Sequence, residues 1–111
     1  MKSFDERVWE IIRTIPPGRL MTYGGIARRL GTRAYRAVGA ACARSPGMPL
    51  VPCHRVVDAG GLLHGFNNGI EAKRALLEKE GILLKKRARN QRIDYRVVDL
   101  SSISLDPGRD D

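Results

Sequence analysis

Cys53 and His54, side by side, carry the most reactive chemistry in this chain. A thiol becomes a strong nucleophile once deprotonated, and a nearby base or positive charge favours that step. His54 can serve as the base. Because it is adjacent in sequence, its ring need not touch the sulfur, and a bridging water can carry the proton. A carboxylate would orient the histidine. Asp58, Glu71, Glu78 and Glu80 are the candidates on sequence alone. The opposing reading is a structural cysteine beside a surface histidine, and local sequence does not separate the two. The second cysteine, Cys42, lies among Ala40, Ala41 and Ala43 and reads as a small core residue. Cys42, Cys53, His54 and His64 lack the paired short spacings of structural zinc sites, so no metal is expected. No cofactor is expected either.

The partner is suggested by charge. The chain has 111 residues and a formal net charge of +8. That balance favours a polyanion, either nucleic acid or an anionic membrane surface. No apolar run is long enough to span a bilayer, and the start Met1-Lys2-Ser3-Phe4-Asp5-Glu6 lacks the apolar core of a signal peptide. The expectation is a soluble, cytoplasmic protein without a membrane partner. Residues 1–81 hold 13 Lys/Arg against 7 Asp/Glu, and residues 82–111 hold 7 against 5. The basic character therefore belongs mainly to the folded core.

The elements that must position Cys53 read as mostly helical. A first helix is predicted over 3–15, with Ser3 and Glu6 as a capping box and Phe4, Val8, Ile11, Ile12 and Ile15 on one face. Pro16-Pro17-Gly18 stops it. Thr22 caps a second helix through Leu30, which Gly31 ends. Thr32 caps a third, running to about Arg44. Two short helices joined through one glycine suggest a helix-turn-helix. The third helix is rich in small residues (Ala34, Ala37, Gly39, Ala40, Ala41, Ala43), with Arg33, Arg36 and Arg44 forming a stripe. Such a helix can approach a nucleic-acid groove closely, although a solvated charged face would look the same.

Residues 46–69 read as a long loop, and their apolar residues Leu50, Val51, Val56 and Val57 suggest an ordered one. Helix returns over 70–80. Ile82–Lys86 and Ile93–Asp99 could then pair as a short hairpin. The basic run Lys85-Lys86-Arg87-Ala88-Arg89-Asn90-Gln91-Arg92 falls between them. It reads either as a phosphate contact or as solvated charge. The fold class expected is mainly α: a winged helix-turn-helix-like DNA-binding domain over 1–100 with a short C-terminal β-hairpin. A disordered tail is expected over 101–111.

Pro52-Cys53-His54-Arg55-Val56 resembles the active-site signature of the O6-alkylguanine-DNA alkyltransferases. The likeness runs from Phe4 to Gly81 and takes in Ile15-Pro16-x-Gly18, Thr22-Tyr23, Arg36-Ala37-Val38-Gly39 and Glu80-Gly81. The resemblance implies that Cys53 is the alkyl acceptor, that His54 is the base acting through water, and that Glu80 orients His54. It implies that Tyr23 crowds a phosphate, helps rotate the target nucleotide out and aids guanine departure, with Arg36 filling the gap in the base stack. The third helix, with Arg33, Ala37, Gly39 and Ala40, and Thr22 before the second, would meet the minor groove of double-stranded DNA containing O6-alkylguanine. The region from Val56 to Asn67, including Phe66, would line the base pocket. Ser45 stands where the family commonly has an asparagine that buttresses the active-site turn. Phe66 replaces a frequent tyrosine, and Asn68 stands in a stretch often richer in glycine. These departures bear on substrate range and rate more than on fold. In length and in its C-terminal extension the chain also resembles the alkyltransferase-like proteins. Those bind alkylated DNA without the cysteine and signal to excision-repair proteins. A monomer is expected.

Overall fold

The computed structural model describes residues 1–47, 50–63, 69–90 and 92–107. The first helix, α1 (Phe4–Arg13), begins where its capping box predicts. The Ser3 hydroxyl accepts the Glu6 N–H, and the Glu6 carboxylate accepts the Ser3 N–H, so two otherwise orphaned donors are satisfied. Val8 and Ile12 are buried on its inner face. The Trp9 indole N–H donates to the Ala41 carbonyl at 2.9 Å, tying α1 to the third helix.

Thr22 caps α2 (Tyr23–Arg29) through the Gly25 N–H. The third helix, α3 (Tyr35–Ala43), starts later than expected. The Thr32 hydroxyl accepts the Ala34 N–H two residues on, which shapes a turn instead of capping a helix. Arg33 therefore lies ahead of α3, and the predicted three-arginine stripe is corrected. Arg44 is the helix C-cap, and its guanidinium clamps Asp5 with bonds of 2.6 and 2.9 Å. Of the three, only Arg36 stands on the body of the helix.

The long loop contains regular structure that its sequence did not reveal. Cys53–Arg55 form one 3₁₀ turn, and β2 (Val56–Val57) pairs in parallel with β1 (Met21–Thr22). This two-residue ladder joins the cysteine turn to the entry of α2. The fourth helix, α4 (Ile70–Lys79), then leads into β3 (Leu84–Arg89) and β4 (Arg92–Val97). These two strands pair antiparallel from Leu84↔Val97 to Arg89↔Arg92. The basic run is thus largely within the ladder and not between its strands. Asn90, at φ 49°, takes the left-handed conformation that asparagine tolerates at a turn.

Residues 101–107 correct the expectation of a disordered tail from Ser101. A short helix, α5 (Leu100–Ile103), is followed by a strap in which the Leu105 N–H bonds the Leu20 carbonyl at 2.8 Å. The Asp106 carboxylate accepts from both the backbone N–H and the hydroxyl of Thr22, at 2.9 and 2.6 Å. Gly25 makes room for it, since a Cβ there would lie 2.0 Å from an Asp106 oxygen. Residues 108–111 lie outside the described part.

Two apolar clusters result. One gathers Val8, Ile12, Ile26, Val38, Ala41 and Val51 around Cys42 and Cys53. The other joins Leu20, Val57, Leu63 and Leu77 to Tyr95 and Val97 of the hairpin. No helix among the described residues is long and apolar enough to cross a membrane.

Candidate active site

Cys53 opens the 3₁₀ turn and is held against the C-terminal end of α3. Its Sγ lies 3.1 Å from the Ser45 hydroxyl and 3.8 Å from the Cys42 carbonyl. The thiol is lowered from an ordinary 9.0 to about 7. The neighbouring Cys42 thiol is the main cause. Burial opposes the shift, while the Ser45 hydroxyl and the positive charge of Lys73 assist. Cys42 moves the other way and stays protonated.

This arrangement predicts a measurable profile. The rate at which Cys53 is carboxamidomethylated should rise with pH through a midpoint near 7. Ser45→Ala should move that midpoint upward, because the thiolate loses a donor. A midpoint near 9 in the parent protein would contradict the geometry.

His54 is completely buried, and its Nε2 lies 2.7 Å from the Glu80 carboxylate. Burial pulls the histidine pKa below its usual value; Glu80 pulls it back, and Arg55 and Lys73 add to the lowering. The ring is therefore neutral near pH 7. Glu80 is an ionised acceptor: burial pushes its pKa up, but Arg55, His54 and the Gly18 N–H together hold it below the ordinary range. A carboxylate can only accept, so the His54 proton must sit on Nε2. That leaves Nδ1 as a lone pair, and among the described residues this buried atom has no hydrogen-bond partner. A neutral imidazole with a fixed tautomer and an unengaged basic nitrogen is what a general base requires.

Of the four candidate carboxylates, only Glu80 meets His54. Asp58 caps its own turn through the Gly60 and Leu62 N–H groups. Glu71 bonds Tyr95 and Arg74, and Glu78 pairs with Arg74.

Sequence reasoning missed two supporting residues. Arg55 donates to both Glu80 oxygens and, at 2.8 Å, to the Ile15 carbonyl, so it fixes the carboxylate that fixes His54. Lys73 is 1% exposed, and its ammonium donates to the Val56 carbonyl at 2.6 Å. Burial lowers it to about 8, so it stays largely charged at neutral pH. Its signal was available: Ile70, Lys73 and Leu77 share one helical face, which puts a lysine on an apolar stripe.

Tyr23 opens α2, packs partly buried against the first cluster, and keeps its phenol protonated because burial raises its pKa. Arg36 and Ala40 are exposed on α3, and Ala37 and Gly39 are half-buried, while Val38, Ala41 and Cys42 face the core. A Cβ at Gly39 would meet nothing within 4 Å, so that face is open. Arg33 is exposed in the turn before α3. Two of the expected contact residues are buried. Thr22 is only 5% exposed, and its hydroxyl is already committed to Gly25 and Asp106. The Val56 side chain is wholly buried in the core. Phe66 and Asn67, together with His64 and Asn68, lie outside the described residues. Among those described, no group of three or more His, Cys, Asp or Glu gathers to hold a metal ion.

Comparison with known proteins bears on this arrangement. Residues 3–82 match the family model described as the DNA-binding domain of 6-O-methylguanine DNA methyltransferase. A methylated-DNA–protein-cysteine methyltransferase of Mycobacterium bovis is 50% identical over 79 residues, which cover 70% of this chain and 48% of that protein. One of Methanosarcina acetivorans is 46% identical over 80 residues, covering 71% and 51%. The chain thus spans about half the length of these curated relatives. Among solved structures, S. pombe Atl1 in complex with damaged DNA containing O6-carboxymethylguanine superposes with a TM-score of 0.81 at 28% identity, covering 96% of this chain and all of that one. Mycobacterium tuberculosis OGT in complex with DNA superposes with a TM-score of 0.68 at 48% identity, covering 72% of this chain and 50% of that one.

Proposed function

The chain belongs to the O6-methylguanine DNA methyltransferase family, and on that premise we propose that Cys53 removes alkyl groups from O6 of guanine in DNA by accepting them. The observation that carries this reading is the neutral His54, with Nε2–H pinned to Glu80 and Nδ1 free to take a proton, directly following a cysteine whose thiol is lowered to about 7. A merely structural cysteine has no use for that arrangement.

The lesion lies inside the stacked duplex, where in-line attack on the O6-alkyl carbon is blocked, so the nucleotide must be flipped out. The open face of α3 enters the minor groove, Arg36 fills the vacated place in the stack, and Tyr23 crowds the phosphate and hydrogen-bonds the flipped base. Nδ1 of His54 accepts the Cys53 proton through one water. The thiolate then attacks the alkyl carbon: an S–C bond forms, the O6–C bond breaks, and guanine leaves with the electron pair. The Tyr23 hydroxyl helps by donating toward the leaving base, which ends as ordinary guanine. The product thioether is stable, so each chain acts once, as a monomer and without cofactor.

A second reading has its own support. Atl1 is matched across 96% of the chain, hairpin region included, whereas OGT covers 72%. In that reading the protein binds the lesion and recruits excision-repair proteins. Cys53 and its relay favour transfer. Stoichiometry tests the choice. Titrating the protein with excess O6-methylguanine duplex should repair one lesion per chain and then stop. Repair of none would support recruitment, and continued turnover would contradict the thioether product.

A further inference from the structure

The hairpin carries a charge pattern that neither packing nor the transfer chemistry uses. Strand alternation divides it into two faces. Leu84, Tyr95 and Val97 lie on the face turned to the second apolar cluster. The other face takes Lys85 and Arg87 from β3 and Arg92, Asp94 and Arg96 from β4, with Arg96 also donating to the Gly60 carbonyl at 3.0 Å. Among the described side chains, four cations therefore share that face with a single carboxylate. The register sets Lys85 directly across from Arg96. Like charges opposed in a ladder weaken it, so stability alone does not account for them. Lys85, Arg87 and Arg92 are exposed, and among the described residues no carboxylate forms an ion pair with them.

The face is also continuous with the helix-turn-helix. A groove of about 360 Å³ is lined by Thr22, Gly24 and Arg28 of the α2 region on one side and by Arg96 and Val98 on the other. A second groove, of about 410 Å³, is lined by Leu62, Arg87, Asn90, Arg92 and Asp94 and extends the surface toward the hairpin tip. The ladder and the entry to α2 are thus two walls of one surface.

We propose that the outer face of β3–β4 is a second DNA contact, binding the phosphate backbone of the same duplex beyond the lesion through Lys85, Arg87 and Arg92. The proposal rests on the DNA-binding reading above. Charge complementarity supplies the attraction, and the open groove beside α2 places it next to the helices that would hold the lesion. The contact reads no sequence; it adds affinity and fixes orientation.

The test is the salt dependence of binding to a lesion duplex of about 25 base pairs. In the Lys85→Thr/Arg87→Thr/Arg92→Thr variant, the slope of log K against log salt should flatten by about 2.7, the release expected from three phosphates. Affinity at 0.15 M salt should fall by about 100-fold by the same relation, and the loss should vanish toward 1 M. The triple Gln variant, which keeps much of each aliphatic stem, should behave alike, separating charge from folding. Transfer to Cys53 at saturating DNA should be unchanged. An unaltered slope in both variants, with the parent protein binding well, would overturn the proposal and leave the face to solvent or to an acidic protein partner. A parent protein that does not bind DNA would remove the DNA-binding reading itself, and this contact with it.

Discussion

Replacing Cys53 with serine is expected to abolish alkyl transfer while leaving binding to an O6-methylguanine duplex within about twofold. Serine nearly matches the shape of cysteine, so the 3₁₀ turn and the neighbouring core should persist. What disappears is the nucleophile. A thiol lowered to about 7 is substantially thiolate at neutral pH, whereas a serine hydroxyl is a weak nucleophile at its own pKa. The Cys42 and Ser45 side chains that favour the thiolate have no comparable anion to stabilise in the variant. The proposed binding surface on α3 is untouched, because Arg36, Ala37, Gly39 and Ala40 lie on the opposite side from the buried Val38, Ala41 and Cys42. Electrophoretic mobility shift and thermal unfolding provide the two readouts. Loss of both DNA binding and folding would make Cys53 a structural residue and contradict the account.

Glu80→Gln should slow transfer by about 10²- to 10⁴-fold, in the range seen when a general base or its orienting group is lost. With Glu80 ionised, His54 must carry its hydrogen on Nε2. A glutamine whose carbonyl oxygen takes the place of Oε1 keeps the Gly18 N–H and Arg55 Nε. Its NH₂ then faces Arg55 Nη2, which loses its acceptor, and His54 Nε2, which must become an acceptor. The ring proton moves to Nδ1, and the base is gone. Turning the amide over keeps His54 and Arg55 Nη2 satisfied but sets the NH₂ against the Gly18 N–H and Arg55 Nε. Either way at least one polar contact is lost in a site where the Glu80 and Arg55 side chains are each only 12% exposed, so thermal stability should fall as well. The affinity for lesion duplex should stay near the parent value, because Glu80 does not touch the proposed DNA surface. Single-turnover rates within about twofold of the parent would show that Glu80 serves folding alone.

Much of the site could be read along the chain, but unevenly. The start of α1 was legible because Ser3 and Glu6 satisfy each other locally, with no help from the rest of the fold. Thr22 announced α2 for the same reason. Thr32 misled because a hydroxyl that can cap a helix can equally close a two-residue turn, and the choice depends on where Ala34 goes next. Local chemistry alone could not choose among Asp58, Glu71, Glu78 and Glu80; the pairing of Glu80 with His54 spans 26 residues and is set by how α4 ends beside the cysteine turn. The β1–β2 ladder is only two residues long and parallel, too short for any alternation to register. Arg55 and Lys73 were hidden by convention, because arginine and lysine are usually read as surface residues. The strap was hidden by composition: an acidic, serine-rich end looks solvated until Asp106 is seen docked on Thr22 in the space that Gly25 leaves open. The bounds of β3 and β4 were missed because charges on the outer face masked the apolar alternation of the inner one.

The most direct test of the central claim is the intact mass of the protein after incubation with duplex DNA containing O6-methylguanine. The account predicts a gain of about 14 Da, one methylene, located on Cys53 by peptide mapping and absent with unmodified DNA, the atom balance of nucleophilic transfer. Tight binding of the lesion duplex with no change in mass would contradict it and leave the protein a reader of the damage and not its remover.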